Sequence, residues 1–427
     1  MLKQVEINHK YRKFVDNHNR WAKDLRDSGT SLESIGEVTT QETGRARRFL
    51  TGCRRSAVFV GQVALALLIL MWVKTALLFR RRRRPDLYQA ADEYVGEFVE
   101  QYPFHLYPIL AKSMELAFLR DLLGKSTKPG EPVLELAIGE GTLSSRVFAK
   151  TDQVIGVDLS PYSLVKSTNM PHVSKAIVGD CLDPPILPGS FELLVSNNFL
   201  HHITEKDDVV ARWSKLARRM FFNENTTYWA SGWTAPFLFK KLGFRSKSRD
   251  RATSIEEYHA QSLRSREELD SIVSKHCQVD DCVSYLSERT FFLCSLFSSL
   301  MRCYGPPTPT ECKEFAFGGR LRSGMTRSLT SAVARALLAY DVYQDRSRDV
   351  FVSYCCTSKN YSPSGKTQPL ACPNCRVELT EENYCPPCGK EFRTTDGMLF
   401  LLDAKLDRWE HEYDSEFAAA IVKKAHL

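Results

Sequence analysis

The chain has 427 residues, enough for two or three domains, and its 43% hydrophobic and 26% charged content is that of an ordinary globular protein. The net charge of +7 misleads as an average. Residues 1–85 hold 18 Lys and Arg against 7 Asp and Glu, and the remainder holds 40 against 44, which argues against a broad nucleic-acid footprint on the larger part. Of 13 cysteines, four form a regular pattern near the C-terminus. The other nine are scattered, which points to reduced thiols in a cytosolic setting rather than to a disulfide framework.

Residues 1–56 read as a polar, basic arm. Ala57 to Phe79 is a 23-residue apolar run broken only by Gln62 and by Lys74-Thr75. At 1.5 Å per residue it spans roughly 35 Å, which predicts a transmembrane or membrane-anchoring helix with the lipid bilayer as partner. A core helix is the alternative. Arginines flank the run on both sides, so charge leaves its orientation nearly balanced. Reduced thiols would place the C-terminal part in the cytosol, with Arg80 to Arg84 against an anionic leaflet. Residues 85–128 are patterned as helices, with Tyr94, Phe98 and Tyr102 on one face and Leu110, Met114 and Phe118 on another.

Val133-Leu134-Glu135-Leu136 is a short apolar run that predicts a buried strand, and Ala137-Ile138-Gly139-Glu140-Gly141 a glycine turn leading into a helix. Strand, glycine turn and helix open a nucleotide-binding α/β sheet. Glycines let backbone approach a ligand, and the following helix adds unpaired N–H groups beside it. Val154 to Asp158 is a second buried strand ending in an acid, Ala176 to Asp180 repeats the pattern, and Phe191 to Asn197 makes a fourth strand leading into Asn198-Phe199-Leu200-His201-His202-Ile203.

These four stretches, ELAIGEG, GVDLS, VGDCLDPP with ILPGSFELLVSNN, and FLHHI, resemble in order and spacing the motifs of the class I S-adenosylmethionine-dependent methyltransferases. The resemblance implies an α/β fold with a seven-stranded Rossmann-like sheet over residues 85–357, and S-adenosylmethionine as cofactor. It implies that Glu135, Ala137, Gly139 and Gly141 surround the methionine end and ribose. Asp158, with Leu159 beside it, would hold the ribose, and Asp180, with Cys181, the adenine. Asn197 and Asn198 would lie near the methionine end and the acceptor, and His201 and His202 are the candidate general bases, with a structural hydrogen bond as the alternative for each. Ala137 stands where the family usually has its first glycine, a replacement tolerated at negative φ.

Val209 to Met220 is patterned as a helix, and Met220 begins a fifth strand. Ser265 with Glu268 three residues later predicts a capped helix to Lys275. Residues 288–345 form an insertion whose apolar patch, Phe291 to Phe297, suits an acceptor surface or plain packing under the sheet. Asp349 to Cys355 is the last strand of the domain, and residues 358–369 are a linker.

Cys372-Pro-Asn-Cys375 and Cys385-Pro-Pro-Cys388 have the spacing of a four-thiolate Zn²⁺ site, closed and therefore structural, in a small zinc ribbon over residues 370–403. The following Met398 to Leu402 resembles the closing strand of small zinc proteins that accompany methyltransferases. Residues 404–427 are patterned as a terminal amphipathic helix. Three functions fit: a methyltransferase at a membrane acting on a small-molecule, lipid or lipid-linked acceptor; an RNA methyltransferase; or a binding module that keeps only the fold. The intact turn and acids count against the third, and the charge balance against the second. Nothing in the sequence fixes the oligomeric state.

Overall fold

The computed structural model describes residues 64, 67, 68, 71, 85–101, 106–126, 131–141, 144–148, 153–228, 262–302, 320–341, 348–365, 368–404, 406, 413 and 415. The basic arm and nearly all of the expected terminal helix lie outside these. In the apolar run 57–79 only Ala64, Leu67, Leu68 and Met71 are described, as helical and exposed. A spanning helix needs about 20 consecutive apolar residues. Among the described residues no helix is long and apolar enough to cross a membrane, so the expected single-pass membrane placement is withdrawn.

Two helices, α1 (Pro85–Gln101) and α2 (Leu106–Ser126), precede the sheet. The chain then alternates strand and helix: β1 (Pro132–Leu136), α3 (Ser144–Val147), β2 (Gln153–Asp158), α4 (Pro161–Ser167), β3 (Val173–Val178) and β4 (Phe191–Asn197). A 3₁₀ turn, Leu200–His202, leads to α5 (Lys206–Trp213) and β5 (Ala217–Asn225). There follow α6 (Arg266–His276), β6 (Cys277–Ser287), α7 (Glu288–Arg302), α8 (Arg320–Asp341) and β7 (Asp349–Ser358). β1 and β4 are central parallel strands covered on both faces, which is why they read as apolar runs without alternation.

The order β3-β2-β1-β4-β5-β7-β6 is the expected seven-stranded arrangement, with β7 antiparallel to both of its neighbours. The sheet is larger than expected, with nine strands among the described residues. Beyond the cysteine hairpin β8 (Tyr384–Cys385) and β9 (Lys390–Glu391), the chain forms β10 (Thr394–Thr395) and β11 (Met398–Phe400). β11 pairs parallel with β3, Met398 opposite Ala176 and Phe400 opposite Val178. The segment expected as a small zinc ribbon, residues 370–403, is therefore continuous with the sheet through β11. Its apolar residues Met398, Leu399 and Phe400 explain this, since each is at least 97% buried at an edge that would otherwise be uncovered.

Of three further expectations, one is corrected, one holds and one narrows to its packing alternative. The helix after the fourth strand stops at Trp213, whose indole Nε1 donates to the Cys181 carbonyl at 2.9 Å, and β5 already begins at Ala217. The capped helix is present with both hydrogen bonds of its capping box, Ser265 to Glu268. The patch in the insertion belongs to α7 and is core: Phe291 and Phe297 are buried, and Phe291 packs edge-on against Tyr107 and Phe351. The lipid-facing reading of that patch loses its support.

If β11 is integral to the sheet, Phe400→Ala should cost about 3–5 kcal/mol. Calorimetry should then show one unfolding transition shifted down by roughly 10 °C. A methyltransferase core melting at its original temperature would show the C-terminal segment to be a separate unit.

Candidate functional site

The turn after β1 is built from left-handed residues. Ala137, Gly139 and Gly141 have φ of 58°, 53° and 66°. The negative φ at which alanine would be readily tolerated is therefore not the one Ala137 adopts. Its N–H donates to the Val157 carbonyl at 2.8 Å, and that tie to β2 holds an L-residue in a region costing about 1–2 kcal/mol. Gly141 is fixed by crowding, since a Cβ there would sit 2.7 Å from Met170 Sδ. Gly139 differs. A Cβ there would meet nothing within 4 Å among the described residues, so this face of the turn is open to them.

Asp158 ends β2 and organises the turn. Its Oδ2 accepts from Gly139 N–H at 2.9 Å and its Oδ1 from Ser160 N–H at 2.8 Å. Burial raises its carboxyl above the usual aspartate value, and these backbone donors oppose the rise. Glu135, near the end of β1, is 4% exposed, and its Oε2 has no hydrogen-bond partner among the described residues. Burial lifts this carboxyl to about 8; a hydrogen bond from Ser144 and the charge of Lys112 oppose the lift, while Asp158 adds to it. Asp180, past β3, uses Oδ1 to accept from Leu182 N–H at 2.9 Å. Leu159 and Cys181 are both fully buried, and Cys181 Sγ donates to the Val157 carbonyl at 3.4 Å. Burial pushes that thiol well above its usual value. Both side chains are packed in the core beside the two acids.

At the adjoining end of β4, Asn197 and Asn198 are half-buried and meet Asn223 of β5. All three amides donate to one carboxylate that the sequence reading missed: Glu115 of α2. The signal was present. From Ile109 to Leu119 every residue but Lys112 is buried, and a helix apolar on all sides carries any acid within it into the interior. Asn223 Oδ1 accepts from Tyr285 at 2.6 Å and Ser353 at 2.8 Å, so β6 and β7 join the cluster.

The two histidines separate. His201 is buried, with Nδ1 3.3 Å from Glu224 Oε2. Glu224 also accepts the N–H groups of Phe199, Leu200 and His201, capping the 3₁₀ turn. His202 is half-buried, its ring 4.0 Å from that of His201. Below them Lys206 donates to the carbonyls of Leu200, Ile203 and Ser262. Burial works against charge on both members of this pair, raising Glu224 and lowering Lys206.

Residues 134–220 match the family model described as a methyltransferase domain. An uncharacterized methyltransferase of Geobacillus thermodenitrificans is 28% identical over 134 residues, covering 31% of this chain and 60% of that protein. Another, of Bacillus licheniformis, is 32% identical over 101 residues, 23% of this chain and 46% of that protein. Residues 134–220 are a class I S-adenosylmethionine-dependent methyltransferase domain. The chain spans 60% or less of the length of these two relatives. Among solved structures, phosphoethanolamine N-methyltransferase 2 of Haemonchus contortus, in complex with S-adenosylmethionine, aligns at 16% identity with a TM-score of 0.36, over 57% of this chain and 51% of that one. A likeness at that level says nothing of substrate.

The four C-terminal cysteines converge. Their sulfurs lie within 4.8 Å of one another, with Cys372 Sγ 3.7 Å from Cys388 Sγ. A tetrahedral ion with metal–sulfur distances of about 2.3 Å sets its ligands about 3.8 Å apart, so Cys372, Cys375, Cys385 and Cys388 fit one metal ion. Each CxxC knuckle is followed by a left-handed residue, Arg376 at φ 59° and Gly389 at φ 65°. Arg376 also pairs with Asp183 and donates to the Pro184 carbonyl at 2.9 Å, fastening the first knuckle to the loop after β3.

The strain at Ala137 is directly testable. Ala137→Gly removes a left-handed L-residue but loosens the unfolded chain, for a net gain of about 0.5–1 kcal/mol in unfolding free energy. Denaturant titration with an unchanged m-value should show it, and a loss of stability would contradict the assigned conformation.

Proposed function

We propose that the chain binds S-adenosylmethionine across the Ala137–Gly141 turn and passes its methyl group to a small-molecule acceptor at the carboxyl ends of β4 and β5. The observation that carries the proposal is Glu135: a buried carboxyl with an unpartnered oxygen beside an open glycine face. Such a group is costly unless a ligand completes it, and the donor's methionine end offers an ammonium. When bound, the donor supplies a sulfonium methyl; the acceptor atom bonds to that carbon, the carbon–sulfur bond breaks, and S-adenosylhomocysteine leaves. The chain's own groups position the reactants. Asp158, oriented by Gly139 and Ser160, takes the ribose hydroxyls, and Asp180, whose Oδ1 accepts from Leu182 N–H, takes the adenine amino group. Asn197 and Asn198 face the acceptor. Of the two histidines, His202 is the better placed to take a proton, because His201 is buried against Glu224. Cys372, Cys375, Cys385 and Cys388 hold one structural Zn²⁺.

The Glu135 shift has a sign. Unfolded, this carboxyl ionises near 4.5; folded and unliganded it keeps its proton to about 8. Its contribution to stability therefore falls as pH rises between those values. A bound ammonium favours the ionised form, so ligand binding at pH 7 should release close to one proton. Titration calorimetry with S-adenosylhomocysteine in buffers of different ionisation enthalpy should detect that release in the wild type and not in Glu135→Gln. Asp158→Ala should weaken binding by about 1.5–3 kcal/mol. Full affinity in the Asp158 variant, or equal proton release in the Glu135 variant, would remove that residue from the site.

The metal is checked separately. Elemental analysis should find one zinc per chain, and Cys372→Ser should lose it together with the order of the hairpin. A chain that folds fully without metal would overturn the assignment.

A further inference from the structure

Glu115 lies in α2 with its carboxylate enclosed by protein. Its Oε2 accepts from Lys112 Nζ at 3.0 Å and Asn197 Nδ2 at 3.3 Å, and its Oε1 from Asn198 Nδ2 at 3.1 Å and Asn223 Nδ2 at 2.8 Å. A carboxylate only accepts, so all three amides must turn their NH₂ groups toward it. This settles by chemistry which way each amide points. The amide oxygens then fare differently. Asn197 Oδ1 is taken by Asn198 at 3.1 Å and Asn223 at 2.9 Å, and Asn223 Oδ1 by Tyr285 and Ser353. Asn198 Oδ1 has one contact among the described residues, from Asn223 Nδ2 at 3.5 Å, the outer limit for a hydrogen bond.

Asn198 is also held in an unusual backbone state, at φ 56°, with its N–H on the Asn223 carbonyl at 2.7 Å. Strain of this kind at a strand end goes with function. The residue is half-buried and lies just past β4, whose neighbour β1 opens the donor turn; Leu136 and Ser196 are paired. Ligands of open α/β sheets bind at this carboxyl edge.

We propose that Glu115 is a positioning residue: through the Asn197–Asn198–Asn223 cluster it turns the Asn198 carbonyl oxygen toward the acceptor, and the acceptor offers that oxygen an N–H or O–H group. The inference rests on the methyl-transfer reading above. It selects acceptors methylated on nitrogen or oxygen over those methylated on a carbon without a nearby donor, because only the former gain a hydrogen bond there.

The test needs no knowledge of the acceptor. Sinefungin carries an amine where the donor carries its methyl-bearing sulfonium; S-adenosylhomocysteine has only a thioether. The amine would set an N–H donor at the place from which the methyl leaves. Calorimetry on the full chain should give a sinefungin preference of about tenfold or more, the worth of one charge-assisted hydrogen bond. Glu115→Gln places an NH₂ among the amides and forces one to flip. It should bring the preference close to parity while S-adenosylhomocysteine binds as before. Asn198→Gly removes the oxygen and relaxes the left-handed backbone, and should do the same; it decides the matter alone if Glu115→Gln does not fold. Parity in the wild type, or a preference unchanged in cooperatively folded variants, overturns the proposal. Failure of the wild type to bind either ligand overturns the donor reading, and this inference with it, and is told apart from the other outcomes by the S-adenosylhomocysteine titration.

Discussion

Burial of carboxylates at the carboxyl-terminal edge of the sheet is the constraint around which this fold is arranged. A carboxylate withdrawn from water costs several kcal/mol unless donors surround it. The molecule supplies those donors from its backbone and amides. Asp158 takes N–H groups from the donor turn and from the start of α4. Glu224 takes three from the 3₁₀ turn. Asp341, ending α8, takes Tyr88 of α1, the N–H groups of Leu286 and Ser287, and the Thr290 hydroxyl. Glu115 takes Lys112 and the three asparagines. Each acid thereby ties a helix or turn to a strand end, and together they fix the loops where a ligand would lie.

Glu135 breaks the pattern. It is as buried as the others, yet one oxygen lacks a partner and its carboxyl is lifted to about 8. In a molecule that satisfies its other interior acids so fully, an incomplete one at the mouth of a glycine turn marks where a cation belongs. Two of the strained residues fall at the same edge. Ala137 and Asn198, both left-handed without being glycine, follow the central strands β1 and β4. Packing on both faces of those strands gives the support that such conformations need.

Much of this was legible in the sequence. Strands buried on both faces leave apolar runs, so β1 to β4, their terminal acids and the glycine turn could be read directly. The paired CxxC knuckles were equally plain, because metal ligation fixes spacing locally. What depended on tertiary partners was not legible. Met398 to Phe400 read as a strand, but nothing local says that it lies beside β3. Glu115 sat in a segment read as a packing helix, and its role arises from residues 82 to 108 positions away. Tyr285 and Ser353 enter the cluster only because β7 returns antiparallel between β5 and β6. The aromatics of α7 were left between an acceptor surface and packing under the sheet, since apolar composition alone does not tell a core face from an exposed one. The sign of φ at Ala137 was set by a hydrogen bond to Val157, which the sequence does not encode locally.

The central claim is that the open face of the Gly139 turn, Glu135 and Asp158 form one donor site facing the asparagine cluster. A crystal structure of the complex with S-adenosylhomocysteine tests it most directly. The account predicts the ribose hydroxyls on Asp158, the ligand ammonium on the free oxygen of Glu135, the adenine amino group at Asp180, and the sulfur directed toward Asn198. A ligand seated elsewhere, or a turn still empty at saturating ligand with Glu135 unpartnered, would contradict it.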